Sequence, residues 1–288
     1  MNILDDIKLQ YKIGGIANKF IYWNVGCFIL SILFFYKFKE GFFNFPVWVS
    51  LSSNPKDILY YPWTLLTYSF LHAGFFHLFF NMMILNFSSR LFLTYFTQKQ
   101  YLGLYVLSAI FAGGLFSICY YFFNLQSNIV GASGAVMAIL VATTTYQPLM
   151  EIRLMFIGNI KLWYLTGVLI LLDFLQILTD NTGGHIAHIG GAIFGFLFIK
   201  LLQNGTDLSK IVSSFLDFFV TLVQPKKRTP FKSVHVNVKK PAENRESKII
   251  IKDENQQQID TILDKIGKSG YDSLTQAEQE FLFKAGEN

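Results

Sequence analysis

Residues 184–203 read GHIAHIGGAIFGFLFIKLLQ, an apolar run long enough to cross a lipid bilayer, with two histidines, His185 and His188, near its start. A membrane-spanning helix needs roughly 17–25 predominantly apolar residues. Ionisable groups inside such a helix cost roughly 2.5–3.5 kcal/mol each on insertion scales, so they are typical of functional positions. This run therefore predicts a transmembrane helix that carries a functional histidine.

The whole chain has the composition of a polytopic membrane protein. Of its 288 residues, 52% are hydrophobic, 17% are aromatic and only 15% are charged, and the mean hydropathy is +0.38. Apolar runs of about spanning length occupy residues 20–36, 72–95, 101–124, 132–147, 162–179 and 184–203. We therefore expect an all-α membrane protein with six transmembrane helices.

Basic residues near the ends of these runs predict the orientation of the chain. If the N-terminus is inside, the cytoplasmic side receives Lys8, Lys12, Lys19, Arg90, Lys99, Arg153 and Lys161, and the outer side receives Lys37, Lys39 and Lys56. Cytoplasmic loops carry an excess of lysine and arginine, so both termini are expected in the cytoplasm. We expect a multi-pass protein of a bacterial inner membrane.

Four segments follow from this pattern: a cytoplasmic N-terminal segment (1–19), a six-helix membrane domain (20–203), an amphipathic and basic juxtamembrane linker (204–255) and a small cytoplasmic helical pair (256–288). Within the linker, residues 226–240 contain six lysines and arginines and no acidic residue. Such a cluster beside a membrane more often binds anionic lipid headgroups than nucleic acid. We expect that lipid, and no nucleic acid, is its partner.

A candidate nucleophile, Ser133, lies in Gly131-Ala132-Ser133-Gly134 at the start of the fourth run. Small residues in membrane helices usually serve close packing, which is the alternative interpretation. This run is short, however, because residues 132–146 make about 22 Å of helix at 1.5 Å per residue. The hydrocarbon core is about 30 Å thick, so the helix is expected to begin below the outer surface, beside a watery cavity. Its first N–H groups are suited to an oxyanion.

A candidate base, His188, lies about one turn into the sixth run. Gly191 and Gly195 form a Gly-x-x-x-Gly pattern, and Gly134 offers a matching small face on the fourth run. Close packing of the two helices would bring the Ser133 hydroxyl within hydrogen-bond reach of the imidazole. A structural hydrogen bond is the alternative role for a lone histidine in a span.

Two candidate oxyanion donors, His77 and Asn81, share one face of the second run because they are four residues apart. Both donate hydrogen bonds without a permanent charge. The alternative is a polar link between helices, worth about 0.6 kcal/mol per bond. A His-Glu-x-x-His zinc motif is absent from the sequence, so we expect no metal and no cofactor.

Two other polar features are expected to be structural. Asp173 lies in the fifth run. The order of the runs and the spacing of Asp173 from His188 suggest no contact between the two residues, so we expect a structural carboxylate near the outer cavity. Cys27 and Cys119 fall within the first and third runs without metal-ligand spacing, and are expected to behave as small hydrophobic residues.

Taken in order, His77-x-x-x-Asn81, Gly131-x-Ser133-Gly134 and Ala187-His188-x-x-Gly191-x-x-x-Gly195 resemble the motifs of the rhomboid family of intramembrane serine proteases. The resemblance covers about residues 60–203. It implies a six-helix core and a Ser133/His188 dyad without an obligatory aspartate. It further implies that Ser133 is the nucleophile, that His188 is the general base and acid, and that His77, Asn81 and the Ser133 backbone stabilise the oxyanion.

The resemblance also makes His72 and His185 secondary positions that are structural or retain water. Many rhomboids have an aromatic residue four places after the serine, packed under the histidine, whereas this chain has Met137. The resemblance therefore implies that the His188 imidazole is held less tightly here.

The implied activity is that of a serine endopeptidase that cleaves transmembrane segments of other membrane proteins. The alternative is a non-proteolytic rhomboid-like protein that binds and escorts membrane helices. Pseudoenzymes typically lose the nucleophile or the base, and both Ser133 and His188 are present, so the sequence favours proteolysis. A transporter is less consistent with the chain, because repeated halves with broken helices are not apparent.

Overall fold

Each of the six apolar runs contains a helix in the computed structural model of the chain, which describes residues 2–154, 158–179, 181–223 and 245–286. The helices are α1 (Ile3–Ile13), α2 (Gly15–Phe35), α3 (Pro55–Tyr60), α4 (Thr64–Thr67), α5 (Phe75–Leu93), α6 (Gln98–Phe122), α7 (Ser133–Tyr146), α8 (Leu162–Gln176), α9 (Thr182–Gln203), α10 (Ser209–Val223), α11 (Arg245–Ser269) and α12 (Gln276–Gly286). The mostly helical fold class is therefore confirmed.

Short strands in the loops form antiparallel pairs that the sequence did not predict. β1 (Tyr36–Lys37) pairs with β2 (Phe42–Phe43), β3 (Leu51–Ser52) pairs with β4 (Asn128–Ile129), and β5 (Glu151–Leu154) pairs with β6 (Gly158–Lys161). The β3–β4 pair ties the loop after α2 to the segment that leads into α7. In that pair, Leu51 lies opposite Ile129 and is fully buried.

Length and composition support three to four membrane crossings in the part of the chain that is described. Three helices, α2, α6 and α9, are long and apolar enough to cross a membrane. The segments Thr64–Phe70 and Phe75–Leu93 meet the same test together, although they are bent by 95° at the break between them. The apolar helices α7 and α8 are shorter. The count of six crossings therefore stays a prediction.

Helix α7 forms the centre of the membrane domain and packs against α5, α6, α8 and α9. Its residues from Gly134 to Thr143 are all buried. The helix is apolar on every side, which is the pattern of a helix enclosed by others. The start of α7 is therefore fixed by its neighbours.

Backbone contact between α7 and α9 depends on glycine. A Cβ atom added at Gly191 would overlap the carbonyl oxygen of Gly134, and one added at Gly195 would overlap the carbonyl oxygen of Ala138. The two small faces predicted from the sequence thus meet directly. Van der Waals packing between small residues is a main source of helix association in lipid, so this contact stabilises the domain.

The chain divides into two compact units, residues 1–227 and 228–288, and the second contains α11 and α12. Gly270, with a φ of +78°, forms the turn before α12. Lys265 donates to Glu278 at 2.9 Å, and the Thr275 N–H donates to the same carboxylate at 2.7 Å. These donors lower the pKa of Glu278 to about 2. Two helices, α11 and α12, therefore lie on either side of the turn at Gly270.

The predicted boundary between the linker and the helical pair, at residues 255 and 256, stays a prediction, and a described helix runs across it. Helix α11 begins at Arg245, ahead of the predicted start at residue 256. The stretch Ile249-Ile250-Ile251 interrupts the polar composition from which a linker over 241–255 was inferred. Helix α10 lies within the segment that was predicted to be an amphipathic linker, and the basic residues 226–240 lie outside the described part of the chain.

We predict that Gly191→Ala lowers the melting temperature of the detergent-solubilised protein, because the added methyl group meets backbone that cannot move without separating α7 from α9. Overpacking of this kind costs about 1–3 kcal/mol. Gly167→Ala on α8 is the control, since a Cβ there meets no atom within 4 Å. Equal melting temperatures for the two variants would show that the helix contact does not depend on Gly191.

Candidate active site

Ser133 is the first residue of α7 and follows a segment that is held in place. The Gly131 N–H donates a 2.9 Å hydrogen bond to the carbonyl oxygen of Tyr68. Gly131 has a φ of +141°, a conformation that residues with side chains rarely adopt. Because the first turn of a helix leaves its N–H groups without intrahelical partners, backbone donors are available close to Ser133.

The His77 ring approaches the same serine. A Cβ atom added at Gly131 would lie 3.0 Å from His77 Cε1 and Nε2 and 3.5 Å from Ser133 Oγ, so only glycine leaves room between the two side chains. The Ala73 N–H donates to His77 Nδ1 at 3.4 Å. In a neutral imidazole the proton then lies on Nε2, which is the nitrogen near Gly131. His77 can therefore donate a hydrogen bond toward the serine.

Asn81 lies one turn after His77 on α5 and is buried. Its amide nitrogen donates to the carbonyl oxygen of His77 at 2.8 Å. An amide group has two N–H donors, so this bond fixes the side chain and leaves a second donor. This bond lies within α5 and is not the link between helices that was the alternative role, and it leaves a donor for the candidate oxyanion role.

A cavity of about 300 Å³ opens between α5, α7, α8 and α9. Its wall includes Asn81, Ser133, Asp173 and His188, and most of the remainder is apolar, including Met137. The structure thus brings three of the four predicted site residues to one cavity and places the fourth, His77, next to Ser133. Whether they act in catalysis stays a prediction.

His188 makes its hydrogen bond with a residue that was expected to be remote. His188 Nδ1 lies 2.7 Å from Asp173 Oδ1, so the expectation of no contact was wrong. His185 Nδ1 lies 2.7 Å from the same oxygen. The relative placement of α8 and α9 creates this contact. The signal in the sequence was the three-residue spacing of the two histidines, which puts both rings on one face of α9.

The Ser133 hydroxyl and His188 are not hydrogen-bonded to each other among the residues that the structure describes. Bonds between nucleophile and base are often long in the absence of substrate. Met137 lies one turn after Ser133 in the same cavity wall, where the resemblance leads one to expect an aromatic ring. Its flexible thioether side chain imposes less on the orientation of the imidazole than a ring would.

Within the described ranges, the ligand-type atoms of Asp173, His185 and His188 lie within 4.8 Å of one another. A tetrahedral zinc ion with bonds of about 2.0–2.1 Å would hold its ligand atoms about 3.3 Å apart. The nitrogen–oxygen distances of 2.7 Å are shorter and are typical of hydrogen bonds to a carboxylate. The group fits a hydrogen-bonded cluster better than a metal centre.

A family model described as the rhomboid domain matches residues 61–204, which is half of the chain. The chain belongs to the rhomboid family. A second model, described as a family of unknown function (DUF6576), matches residues 250–284. The matched rhomboid region contains every predicted site residue, and the second match falls in α11 and α12.

Relatives of this rhomboid chain include the presenilin-associated rhomboid-like protein, mitochondrial, of Mus musculus, which is 29% identical over 174 residues, or 56% of this chain and 44% of that protein. The proteins of the same name from Bos taurus and Rattus norvegicus are 29% and 28% identical. The match thus covers less than half the length of these relatives.

The family and the apolar helices indicate an integral membrane protein. The relatives are named as mitochondrial proteins, so the comparison gives no support to the expected bacterial inner membrane. The same names say rhomboid-like and do not mention proteolysis. The comparison therefore supports membership of the rhomboid family and leaves activity to experiment.

We predict that Asn81→Ala lowers turnover of a transmembrane substrate with little loss of folded protein. Removing one oxyanion donor from a soluble hydrolase costs about 10²–10³ in rate, and the effect here is expected to be smaller because His77 and backbone N–H groups share the role. Asn86→Ala on the same helix is the control, since Asn86 pairs with Arg90 outside the cavity. A misfolded Asn81→Ala variant whose refolded fraction cleaves normally would mean that Asn81 is only structural.

Proposed function

We propose that the chain is an intramembrane serine endopeptidase that cleaves transmembrane segments of other membrane proteins, with Ser133 as nucleophile and His188 as general base. The observation that carries the proposal is that Ser133, His188 and Asn81 share one cavity enclosed by apolar helices. A hydroxyl, an imidazole and an amide are each costly in apolar surroundings. Together they supply the nucleophile, the base and the oxyanion donor that acyl transfer needs. The proposal includes six crossings with both termini in the cytoplasm.

The geometry suggests the role of each group in the reaction. His188 accepts the Ser133 hydroxyl proton at Nε2 while Oγ forms a bond to the scissile carbonyl carbon. The developing oxyanion accepts hydrogen bonds from the first N–H groups of α7, from His77 Nε2 and from the Asn81 amide. The imidazolium then protonates the leaving nitrogen as the carbon–nitrogen bond breaks, and water activated by the same imidazole releases the acyl group from the serine.

The apolar wall of the cavity suits a substrate that arrives from lipid. It includes Phe80 and Ile84 on α5 and Leu169 and Leu172 on α8, four side chains without hydrogen-bonding groups. A peptide bond locked in a helix cannot present its carbonyl to a nucleophile, so a bound span has to unwind locally. Unwound backbone needs hydrogen-bond partners, and the site residues offer them.

A non-proteolytic protein that binds and escorts membrane helices is the second candidate function. Two observations favour it: the Ser133 hydroxyl is not bonded to His188 in the described structure, and the relatives carry the name rhomboid-like. The same cavity would then bind a helix without cutting it. Anionic lipid headgroups are a proposed partner of residues 226–240 under either function.

We predict that Ser133→Ala and His188→Ala each abolish cleavage of a model transmembrane substrate in detergent or liposomes. Nucleophile and base act as one unit, so the double variant should be no worse than either single variant. The measurement is product formation on a gel, with size-exclusion profiles to show that each variant is folded.

Substantial cleavage by Ser133→Ala would refute Ser133 as the nucleophile. A folded wild-type protein that binds helices but yields no product with any of several substrates would favour the escort function.

We predict that substrates are cut near the outer end of their transmembrane span, and that glycine there speeds cleavage relative to leucine. The short helix α7 is expected to place Ser133 below the outer surface, and glycine weakens a helix by about 1 kcal/mol relative to alanine. The test maps cut positions by mass spectrometry in two substrates that differ only by Gly or Leu in the outer third. Equal rates, or cuts near the cytoplasmic end, would contradict this model of substrate entry.

A further inference from the structure

Helix α10 (Ser209–Val223) separates its apolar and polar side chains onto opposite faces. With about 3.6 residues per turn, one face carries Ile211, Phe215, Phe218, Phe219 and Leu222. The opposite face carries Lys210, Ser213, Ser214, Asp217 and Thr221. Such a division predicts a helix with apolar surroundings on one side and water on the other.

The apolar face of α10 is exposed. Ile211 and Phe218 are each 59% exposed, Phe215 is 62% exposed and Leu222 is 66% exposed. A surface helix of a globular protein usually buries such a face against the core. The described part of the chain leaves this face uncovered, so it requires a partner from outside that part.

The start of α10 is fixed to the membrane domain. Ser209 is buried, and a Cβ atom added at Gly103 of α6 would lie 2.5 Å from the Ser209 Cα atom. Asp207 accepts a hydrogen bond from the Ser209 N–H at 2.9 Å and another from the Gln100 side chain at 3.5 Å. The described side chains after Ser213 are all exposed, so only the beginning of α10 packs against the bundle.

This attachment lies at the polar ends of two long apolar helices. Helix α6 begins at Gln98 and α9 ends at Gln203, and both helices are long and apolar enough to cross a membrane. The ends of such helices lie near the boundary between the hydrocarbon core and the headgroups. Helix α10 therefore starts at that boundary, on the side that is expected to be cytoplasmic.

The length and polarity of α10 favour a position along the membrane surface over a crossing. Its 15 residues make about 22 Å of helix, which is shorter than the hydrocarbon core of about 30 Å. A crossing would also place the side chains of Lys210 and Asp217 in lipid, where charge is costly. A helix along the surface keeps one face among acyl chains and the other in water.

Charge does not attract α10 to a membrane. The helix contains one lysine, Lys210, and one aspartate, Asp217, so their formal charges cancel. Attraction to anionic headgroups requires a surplus of basic residues. Membrane binding by α10 therefore depends on removing its apolar face, which is rich in phenylalanine, from water.

We propose that α10 is an interfacial helix whose apolar face inserts among the acyl chains of the leaflet in which α6 begins. Helix α10 binds this lipid by apolar contact and not through headgroup charge. The partner thus differs from the anionic headgroups proposed for residues 226–240. The inference applies equally to a protease and to a protein that escorts helices, because it does not involve the cavity at Ser133.

The test places a single environment-sensitive fluorophore on either face of α10 in the full-length chain. The free cysteines Cys27 and Cys119 are first replaced by alanine. Phe215→Cys and Ser214→Cys are then compared as neighbours on opposite faces. Each labelled protein is reconstituted in neutral phosphatidylcholine vesicles, with and without lipid that carries a nitroxide quencher on its acyl chain.

We expect the label at residue 215 to emit at shorter wavelength than the label at residue 214, and to be quenched about threefold more strongly by the nitroxide lipid. Leu222→Cys and Thr221→Cys form a second pair on the same two faces and should show the same contrast. The second pair keeps the test decisive if a variant of the first pair does not fold.

Equal quenching on both faces would overturn the inference, since a helix that crosses the bilayer or stays in water gives no contrast between them. Short-wavelength emission from residue 215 without quenching by the nitroxide lipid would also overturn it, because protein and not lipid would then cover the apolar face.

A second comparison separates apolar contact from headgroup charge. Replacing about a third of the phosphatidylcholine with anionic phosphatidylglycerol should leave the quenching of the label at residue 215 unchanged. Insertion only into the anionic vesicles would overturn the inference, because the basic residues 226–240 would then supply the attraction. Neither comparison measures cleavage, so a failure of the proposed function does not alter these outcomes.

Discussion

Backbone contact between α7 and α9 is the constraint on which the rest of the site depends. Gly191 meets the carbonyl of Gly134, and Gly195 meets the carbonyl of Ala138, so the two helices approach more closely than any side chain would permit. Ser133 precedes the first of these contacts on α7, and His188 precedes it on α9. Because both residues lie just before the contact between the helices, the Ser133 hydroxyl and the His188 imidazole reach the same cavity.

The polar groups at the site are held by hydrogen bonds rather than by water-exposed loops. His77 accepts from the Ala73 N–H, Asn81 donates to the His77 carbonyl, and Asp173 binds two imidazoles. In apolar surroundings an unpaired polar group is costly, so such bonds stabilise the domain and also set tautomers and orientations. The same hydrogen bonds thus stabilise the domain and hold the side chains in the orientations that the proposed chemistry requires.

Much of this arrangement could be predicted from local sequence patterns. The four-residue spacing of His77 and Asn81, the glycine motif at Ser133 and the Gly-x-x-x-Gly pattern of α9 each act within one helix or between two small faces, and each is found where it was expected. Those features depend on periodicity and side-chain size, which a single sequence displays.

The features that were missed depend on how separate elements meet. The contact of Asp173 with His188 requires the placement of α8 against α9, and the β3–β4 pair joins residues more than seventy positions apart, as Leu51 and Ile129 show. The predicted run at 72–95 likewise became α5 with a 95° bend before it, because its first residues belong to the break rather than to the helix. Composition alone does not report such geometry.

The central claim is that Ser133 is a nucleophile activated by His188. The most direct measurement is labelling of the folded, detergent-solubilised protein with a serine-directed fluorophosphonate, followed by peptide mapping in a mass spectrometer. The account predicts a single adduct on Ser133 that is lost in His188→Ala. A folded wild-type protein with no adduct on Ser133, or an adduct that forms equally in His188→Ala, would contradict it.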